Sequence, residues 1–380
     1  MNRVPKIVIL LGIVSLFADM TYEGGRSILG PYLDYYKATG IIAGALSAGE
    51  LLMHLSKGLG GLLASKYPGR RARWTILFTG YIINLASVPL LAYAGGWLGI
   101  LLLVLAERTG KGLRTPVRDA LIAEASAGYG RGKAFGIHEA LDQIGAVLGP
   151  LYVGLGLSAG YSYAEAYLLL SLPALASLLS LVYTFYHVST STLVVDESKY
   201  SMRIGLARYM VIVGLFSAGV IQWSLISYAM SKAGLPAYTV AYAYAFTMGV
   251  DAAAALAMGW LYERTGVRTL VLTPVLSILA SLILVFPGNT IWILLALLSW
   301  GILTGIQESV FRAAIGDLAG RERLASVYGA YGLTVGLAGF AGNTVIGYLL
   351  DVDPAWIPLL VIATGIAGLL VLLPVYKGRD

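Results

Sequence analysis

Charged side chains stand at helical spacing inside apolar sequence. Asp19, Glu23 and Arg26 follow i, i+4, i+7 spacing, and Glu50, His54 and Lys57 repeat it. Further on come Glu107, Arg108, Lys111, Arg114 and Arg118, and then His138, Glu139 and Asp142. A carboxylate that is protonated in one state and ionised in another can carry a proton, and a histidine, titrating near neutrality, can pass one on. The same residues can also serve as structural ion pairs. The second half of the chain is poorer in such groups, with Asp251, Glu308 and Arg312. It offers polar and aromatic side chains suited to a solute surface: Gln222, Trp223, Tyr228 and Tyr242.

The elements that carry these residues are read from composition. Of 380 residues, 58% are hydrophobic and 12% charged, about half the charged share of a soluble domain. Apolar stretches of about 20 residues recur, each long enough as a helix to cross a hydrocarbon layer roughly 30 Å thick. About twelve spans result. The first six run near 5–35, 41–64, 74–94, 97–123, 133–157 and 163–187. The second six run near 206–233, 237–262, 269–286, 290–315, 324–350 and 356–376. A charge at a helix centre costs about 2.5–3.5 kcal/mol on insertion scales, so those retained should pair inward or line a watery path. Arg3 and Lys6 before an apolar run have the look of a signal peptide, but Asp19 follows with no small-residue cleavage site, so this stretch reads as the first span.

If the amino terminus is cytoplasmic, the even-numbered connections should be basic. They hold Lys66, Arg70, Arg71 and Arg73; Arg131; Lys199 and Arg203; Arg264 and Arg268; Arg321 and Arg323. Lys377 and Arg379 return the carboxyl terminus to the same side. The net charge of +6 is therefore a matter of topology and does not imply nucleic acid. The polar stretch from Ser189 divides the chain into an amino-terminal bundle, 1–188, a linker, 189–204, and a carboxyl-terminal bundle, 205–380. The halves repeat. Ile13 to Ala18 resembles Ile212 to Ser217, and Arg131 through Gly154 lines up with Arg323 through Gly347, which sets Gln222 near the position of Glu23.

Three motifs carry a family resemblance. Gly259-Trp-Leu-Tyr-Glu-Arg-Thr-Gly-Val-Arg268, with Glu263, Arg264 and Gly266, follows the pattern G-x-L-x-[DE]-R-x-G-x-R. Its first-half counterpart, from Gly61 to Arg70 and Arg71, has Ser65 in place of the acid and one extra residue. Gly145, Gly149, Pro150 and Gly154 in span 5 form G-x-x-x-G-P and its extension, small residues spaced for close helix contact. Span 4 carries Arg108-Thr-Gly-Lys-Gly112, followed by Arg-Thr-Pro and Arg-Asp-Ala-Leu-Ile. Together these resemble the major facilitator superfamily, in particular a prokaryotic branch with that span 4 sequence.

The resemblance implies an all-α polytopic fold of two pseudo-symmetric six-helix bundles, with alternating access around a midplane cavity lined by spans 1, 4, 7 and 10. The span 5 motif is associated with proton-driven exporters. The expectation is a proton-coupled exporter of a small organic or amphipathic solute in the cell membrane, monomeric, with both termini cytoplasmic. Proton-coupling candidates are Asp19, Glu23, Arg108, His138, Glu139 and Asp142, with Arg108 the expected basic partner of Asp19. Solute candidates are Arg26, Lys111, Gln222, Trp223, Tyr228, Tyr242, Glu308 and Arg312. Uptake or facilitated movement of an organic anion is the alternative within transport, and a membrane sensor or scaffold the alternative outside it. With no cysteine and three histidines, neither a thiolate site nor a histidine cage is offered. Neither a nucleophile constellation nor a strand-preceded phosphate loop is present, so no enzyme, metal or cofactor is expected.

Overall fold

A computed structural model describes residues 4–126, 129–188, 204–319 and 324–376. The linker and the basic residues Lys199, Arg203, Arg321, Arg323, Lys377 and Arg379 lie outside the described residues, as does the side chain of Arg131. Among the described residues there is no strand, and the helices string together as twelve rods. Span 1 is Lys6–Ser27 continued by Leu29–Tyr35; span 2, Gly40–Ala45 and Ala48–Lys66; span 3, Arg70–Leu90 and a closing 3-10 turn; span 4, Trp97–Ala125; span 5, Arg131–Ser158; span 6, Tyr163–Leu169 and Ser171–His187. Span 7 is Ile204–Gly219 and Trp223–Lys232; span 8, Ala237–Thr265; span 9, Leu272–Val285 after a 3-10 turn; then Thr290–Ala319, Leu324–Val352 and Trp356–Tyr376 are spans 10, 11 and 12. Nine stretches are long and apolar enough to cross a membrane, one of them, Ala237–Val285, covering spans 8 and 9 together. Spans 2 and 4 fall outside those nine. They are the spans that carry Glu50 and Lys57, and the five charges from Glu107 to Arg118. Charge, not helix length, removes them from a hydropathy count.

Two compact units form, and each is drawn from both halves of the chain. The first comprises Met1–Ile28, Leu52–Asp196 and Ala237–Ala245; the second, Leu29–Leu51, Glu197–Pro236 and Phe246–Asp380. The boundaries at Ile28, Leu51 and Ala245 fall inside spans 1, 2 and 8.

In the first unit spans 1 and 5 lie backbone to backbone. A Cβ added at Gly145 would strike the Leu16 carbonyl, and one at Gly149 the Met20 carbonyl and the amide of Gly24. Without a hydrophobic driving force in lipid, such close packing of small residues is what holds helices together. Spans 3 and 4 meet the same way at Gly80 and Gly110, and Gly112 sits against the Met53 carbonyl and Ser56 hydroxyl of span 2.

In the second unit span 7 breaks at Val220–Gln222, and side chains satisfy the freed backbone. Asn343 Nδ2 donates to the Val220 carbonyl at 3.0 Å, while its Oδ1 accepts from the Gln222 amide at 2.8 Å. Trp300 Nε1 donates to the Ile221 carbonyl at 2.7 Å. Unwound backbone at membrane depth persists only where protein satisfies it in this way. Asp351 likewise accepts from the amides of Gly40 and Ile41, at 2.7 and 3.0 Å, where span 2 starts.

One methyl separates these close contacts from ordinary ones. Gly149→Ala should destabilise the protein by about 1–3 kcal/mol through overpacking against span 1. Gly259→Ala should change stability by less than about 0.5 kcal/mol, because the nearest neighbour of an added Cβ is Ser309 Cβ at 3.9 Å. Thermal unfolding of the two variants in detergent checks both.

Candidate functional site

The charged residues of spans 1, 4 and 5 converge inside the first unit. Asp19, Glu23, Glu107, Arg108, Arg114 and His138 are all buried. A buried charge is tolerated when it is paired and hydrogen-bonded, and most of these are. Arg26 Nη1 lies 3.3 Å from Glu23 Oε1, and Tyr244 of span 8 donates to Glu23 Oε2 at 2.5 Å. Arg108 Nε lies 3.1 Å from Glu107 Oε2, and Asn84 of span 3 donates to Glu107 Oε1 at 2.7 Å. Arg118 bonds Asp119 at 2.9 Å and the Ser15 hydroxyl at 3.2 Å, and reaches Asp142 at 3.7 Å.

Asp19 is placed differently. Tyr22, one turn on, donates to its carboxylate. The charges of Lys111 and Arg114 act on it, and its own charge acts on Arg118. Arg108, expected as its basic partner, is instead set against Glu107. Lys111 Nζ sits 4.0 Å above the Tyr22 ring and Arg114 lies 4.1 Å over the Tyr81 ring. Arg114 is fully buried, and none of its three guanidinium nitrogens has a hydrogen-bond partner.

One turn before Asp19 on span 1, Ser15 joins a separate hydrogen-bonded group. Ser15 Oγ lies 3.0 Å from His138 Nε2 and 3.5 Å from the Tyr81 hydroxyl, and His138 Nδ1 is 3.5 Å from Asp142 Oδ2. Glu139, next to His138 in sequence, is exposed.

The remaining candidates serve packing and ends. Trp223 is buried against Trp300 at 5.5 Å between ring centroids, and Tyr228 donates to the Ala38 carbonyl at 2.7 Å. Tyr242 packs on Gly154, its hydroxyl 3.3 Å from Ser158. Gln222 sits at the break in span 7. Glu308 and Arg312 share a face of span 10, and the charges of both act on Tyr331. In the loop motifs, Arg70 donates to the Phe185 carbonyl at 2.7 Å, and Arg264 lies 3.5 Å over Trp260. Arg71, Glu263 and Arg268 are exposed. Gly266 ends span 8 with φ +59°, a conformation that explains the glycine in that motif. Pro150 lies within the span 5 helix directly after Gly149. Among the described residues no group of three or more His, Cys, Asp or Glu is placed to hold a metal ion.

Sequence reading did not pick out Tyr22, Ser15, Tyr81, Asn84 and Tyr244. Tyr22 and Ser15, three residues after and four before Asp19 on the same span, were open to it; Tyr81, Asn84 and Tyr244 come from spans whose contact with span 1 or span 4 no local pattern encodes.

A helical membrane fold of twelve rods, with a charge cluster buried in one unit, defines a polytopic transporter class. The chain belongs to the Major Facilitator Superfamily, whose family model matches residues 11–343. An uncharacterised protein of Mycobacterium tuberculosis (strain ATCC 25618 / H37Rv) is 35% identical over 387 residues, covering 98% of this chain and 94% of its own. An uncharacterised MFS-type transporter of Methanocaldococcus jannaschii is 28% identical over 384 residues, covering 93% and 90%. Among solved structures, a peptide transporter, POT, in complex with sulfate superposes with a TM-score of 0.78 at 18% identity over 98% of this chain and 95% of that one. The nucleoside transporter NupG superposes with a TM-score of 0.69 at 14% identity, covering 98% of each chain. The molecule is a multi-pass membrane transporter of this superfamily.

Removing one partner of a buried pair leaves the other uncompensated. Glu107→Gln should therefore destabilise the protein by about 3 kcal/mol, and Asp19→Asn, which keeps an acceptor for Tyr22 but leaves Lys111 and Arg114 without their carboxylate, should cost at least as much. Thermal unfolding of both variants side by side checks this.

Proposed function

We propose that the chain is a proton-coupled secondary transporter of a small organic solute, with Asp19 as the carboxylate that carries the proton. One observation supports this above the others: Asp19 is buried, held by Tyr22, and acted on by both Lys111 and Arg114. A structural ion pair needs one cation. A carboxylate with two can take up a proton and leave a strongly positive pocket, which turns protonation into a change of solute affinity or of conformation. Ser15, one turn before Asp19, and His138 and Asp142 of span 5 are the groups available to pass that proton on.

The reading places the protein in the cell membrane as a monomer with both termini cytoplasmic, its two bundles alternating access to the site. Its solute is of modest size; the solved transporters of similar fold are named for peptides and a nucleoside. Outward movement of solute in exchange for protons is drawn from the resemblance of Gly145 to Gly154 to the exporter motif. That motif packs span 5 on span 1, a role compatible with either direction. Exchange requires a solute that competes with the proton, hence a cation; an anion would bind together with the proton.

The test uses purified protein in proteoliposomes with an internal pH dye, challenged with cationic, neutral and anionic solutes. Solute-driven proton movement should fall at least tenfold in Asp19→Asn. Equal proton movement in wild type and variant would remove Asp19 from the mechanism.

A further inference from the structure

Among the described residues of the first unit, Arg114 is a fully buried cation for which the structure provides no hydrogen bond. Its Nε, Nη1 and Nη2 all lack an acceptor. Its contact with Tyr81 sets the guanidinium carbon 4.1 Å from the ring centroid. A ring face offers no lone pair to the N–H donors, so this contact satisfies none of them. The arginine stem is fixed as well. A Cβ at Gly80 would come within 2.7 Å of Arg114 Cβ, so spans 3 and 4 clasp it where a longer residue would not fit.

The groups around the fork are named by the charges that act between them. Arg114 acts on Asp19 and Tyr22 from span 1, and on His138 and Asp142 from span 5. Tyr81 faces it from span 3. Asp142 Oδ1 and its neighbour Gln143 Oε1 are also buried without a hydrogen-bond partner. Unused donors on span 4 thus accompany unused acceptors on span 5. Burying a guanidinium in this state is unfavourable unless something else completes it.

We propose that the fork of Arg114 receives the oxyanion of the transported solute, so that the solute is a small organic anion bearing a carboxylate or phosphate. The planar, five-donor guanidinium matches such a group in two-point geometry, and Lys111 adds a second positive charge beside it. The sense of coupling follows. Protonating Asp19 removes the negative charge that Lys111 and Arg114 share, which raises their affinity for an anion. By reciprocity the anion then raises the affinity of Asp19 for its proton. Solute and proton bind together, and the transport is cotransport. This rests on Asp19 as the proton site for its coupling, while the oxyanion contact stands on Arg114 alone.

The experiment uses the full chain in detergent and in proteoliposomes. The probes are benzoate, lactate and inorganic phosphate, with tetraphenylphosphonium as the cation. Wild type should be stabilised against heat by at least one anionic probe and should take up protons from a dye as that probe binds. Arg114→Gln should bind the probe at least tenfold more weakly, and Arg114→Lys should fall between the two, keeping the charge without the fork. Anion binding unchanged in Arg114→Gln, or stabilisation by the cation alone, overturns the proposal. Should no probe bind, the ligand-free melting temperature decides: Arg114→Gln melting at or above wild type supports an unused fork, and melting several degrees below it assigns Arg114 to structure and overturns the proposal. Anion binding through Arg114 without proton uptake keeps the oxyanion contact and removes Asp19 coupling; proton movement driven only by the cation does the reverse.

Discussion

A charge carried into the hydrocarbon layer must be answered by another charge or by a dense set of hydrogen bonds, and the first unit is organised around that requirement. Its answer is short-range. Arg26 meets Glu23 on the same helix, Arg108 meets the adjacent Glu107, and Arg118 meets the adjacent Asp119. Local pairs of this kind survive movement of the helices because both partners travel together. Asn84 and Tyr244 reach across helices to complete Glu107 and Glu23 without neutralising them, while Arg73 meets Glu124 between spans 3 and 4 and Arg118 reaches Asp142 between spans 4 and 5. Asp19 with Lys111 and Arg114 is a further part of the cluster whose charge balance is not closed within one helix.

Close packing makes the pairing possible. The cluster is buried where glycines let spans 1 and 5, 3 and 4, and 2 and 4 approach until backbones touch. A larger residue at Gly80 or Gly112 would separate the spans and admit lipid or water, and exposure to water would weaken every electrostatic interaction inside. The R-x-x-x-G pattern of span 4 therefore couples two requirements on one helix: Arg108 needs low dielectric for a strong pair, and Gly112 helps to provide it. The second unit spends its polar atoms otherwise. Asn343, Trp300 and Asp351 satisfy backbone groups where helices break or begin, so polarity there maintains shape rather than carrying charge.

Much of the fold was legible in the sequence because lipid imposes a simple rule on length and composition, and each expected span has its counterpart among the described helices. Helical spacing put Asp19, Glu23 and Arg26 on one face of span 1, where Arg26 meets Glu23. Partner assignment was not legible to the same degree. Arg108 and Arg114 both suit an acid on a neighbouring helix, and which of them acts on Asp19 depends on the rotation of span 4, which the contacts at Gly110 and Gly112 fix. Tyr81, Tyr244 and Asn84 sit in apolar spans where a tyrosine or asparagine reads as packing. Trp223 and Tyr228, expected at a solute surface, meet Trp300 and the Ala38 carbonyl instead, because the break in span 7 turns that segment into the packed interior of its unit.

The tyrosine faces beneath the two unbalanced cations bear on how a positive pocket can exist without solute. Tyr22 lies under Lys111 and Tyr81 under Arg114, each at about the same separation. A ring quadrupole attracts a cation by roughly 0.5–2 kcal/mol and more when water is excluded, yet it carries no net charge and offers no lone pair in the plane of the donors. It therefore lowers the cost of an empty site without competing for the hydrogen bonds that a carboxylate would make. A second acid in place of either ring would have closed the charge balance. Aromatic support leaves the fork of Arg114 open, and Tyr22 bonds Asp19, a carboxylate on which both cations act.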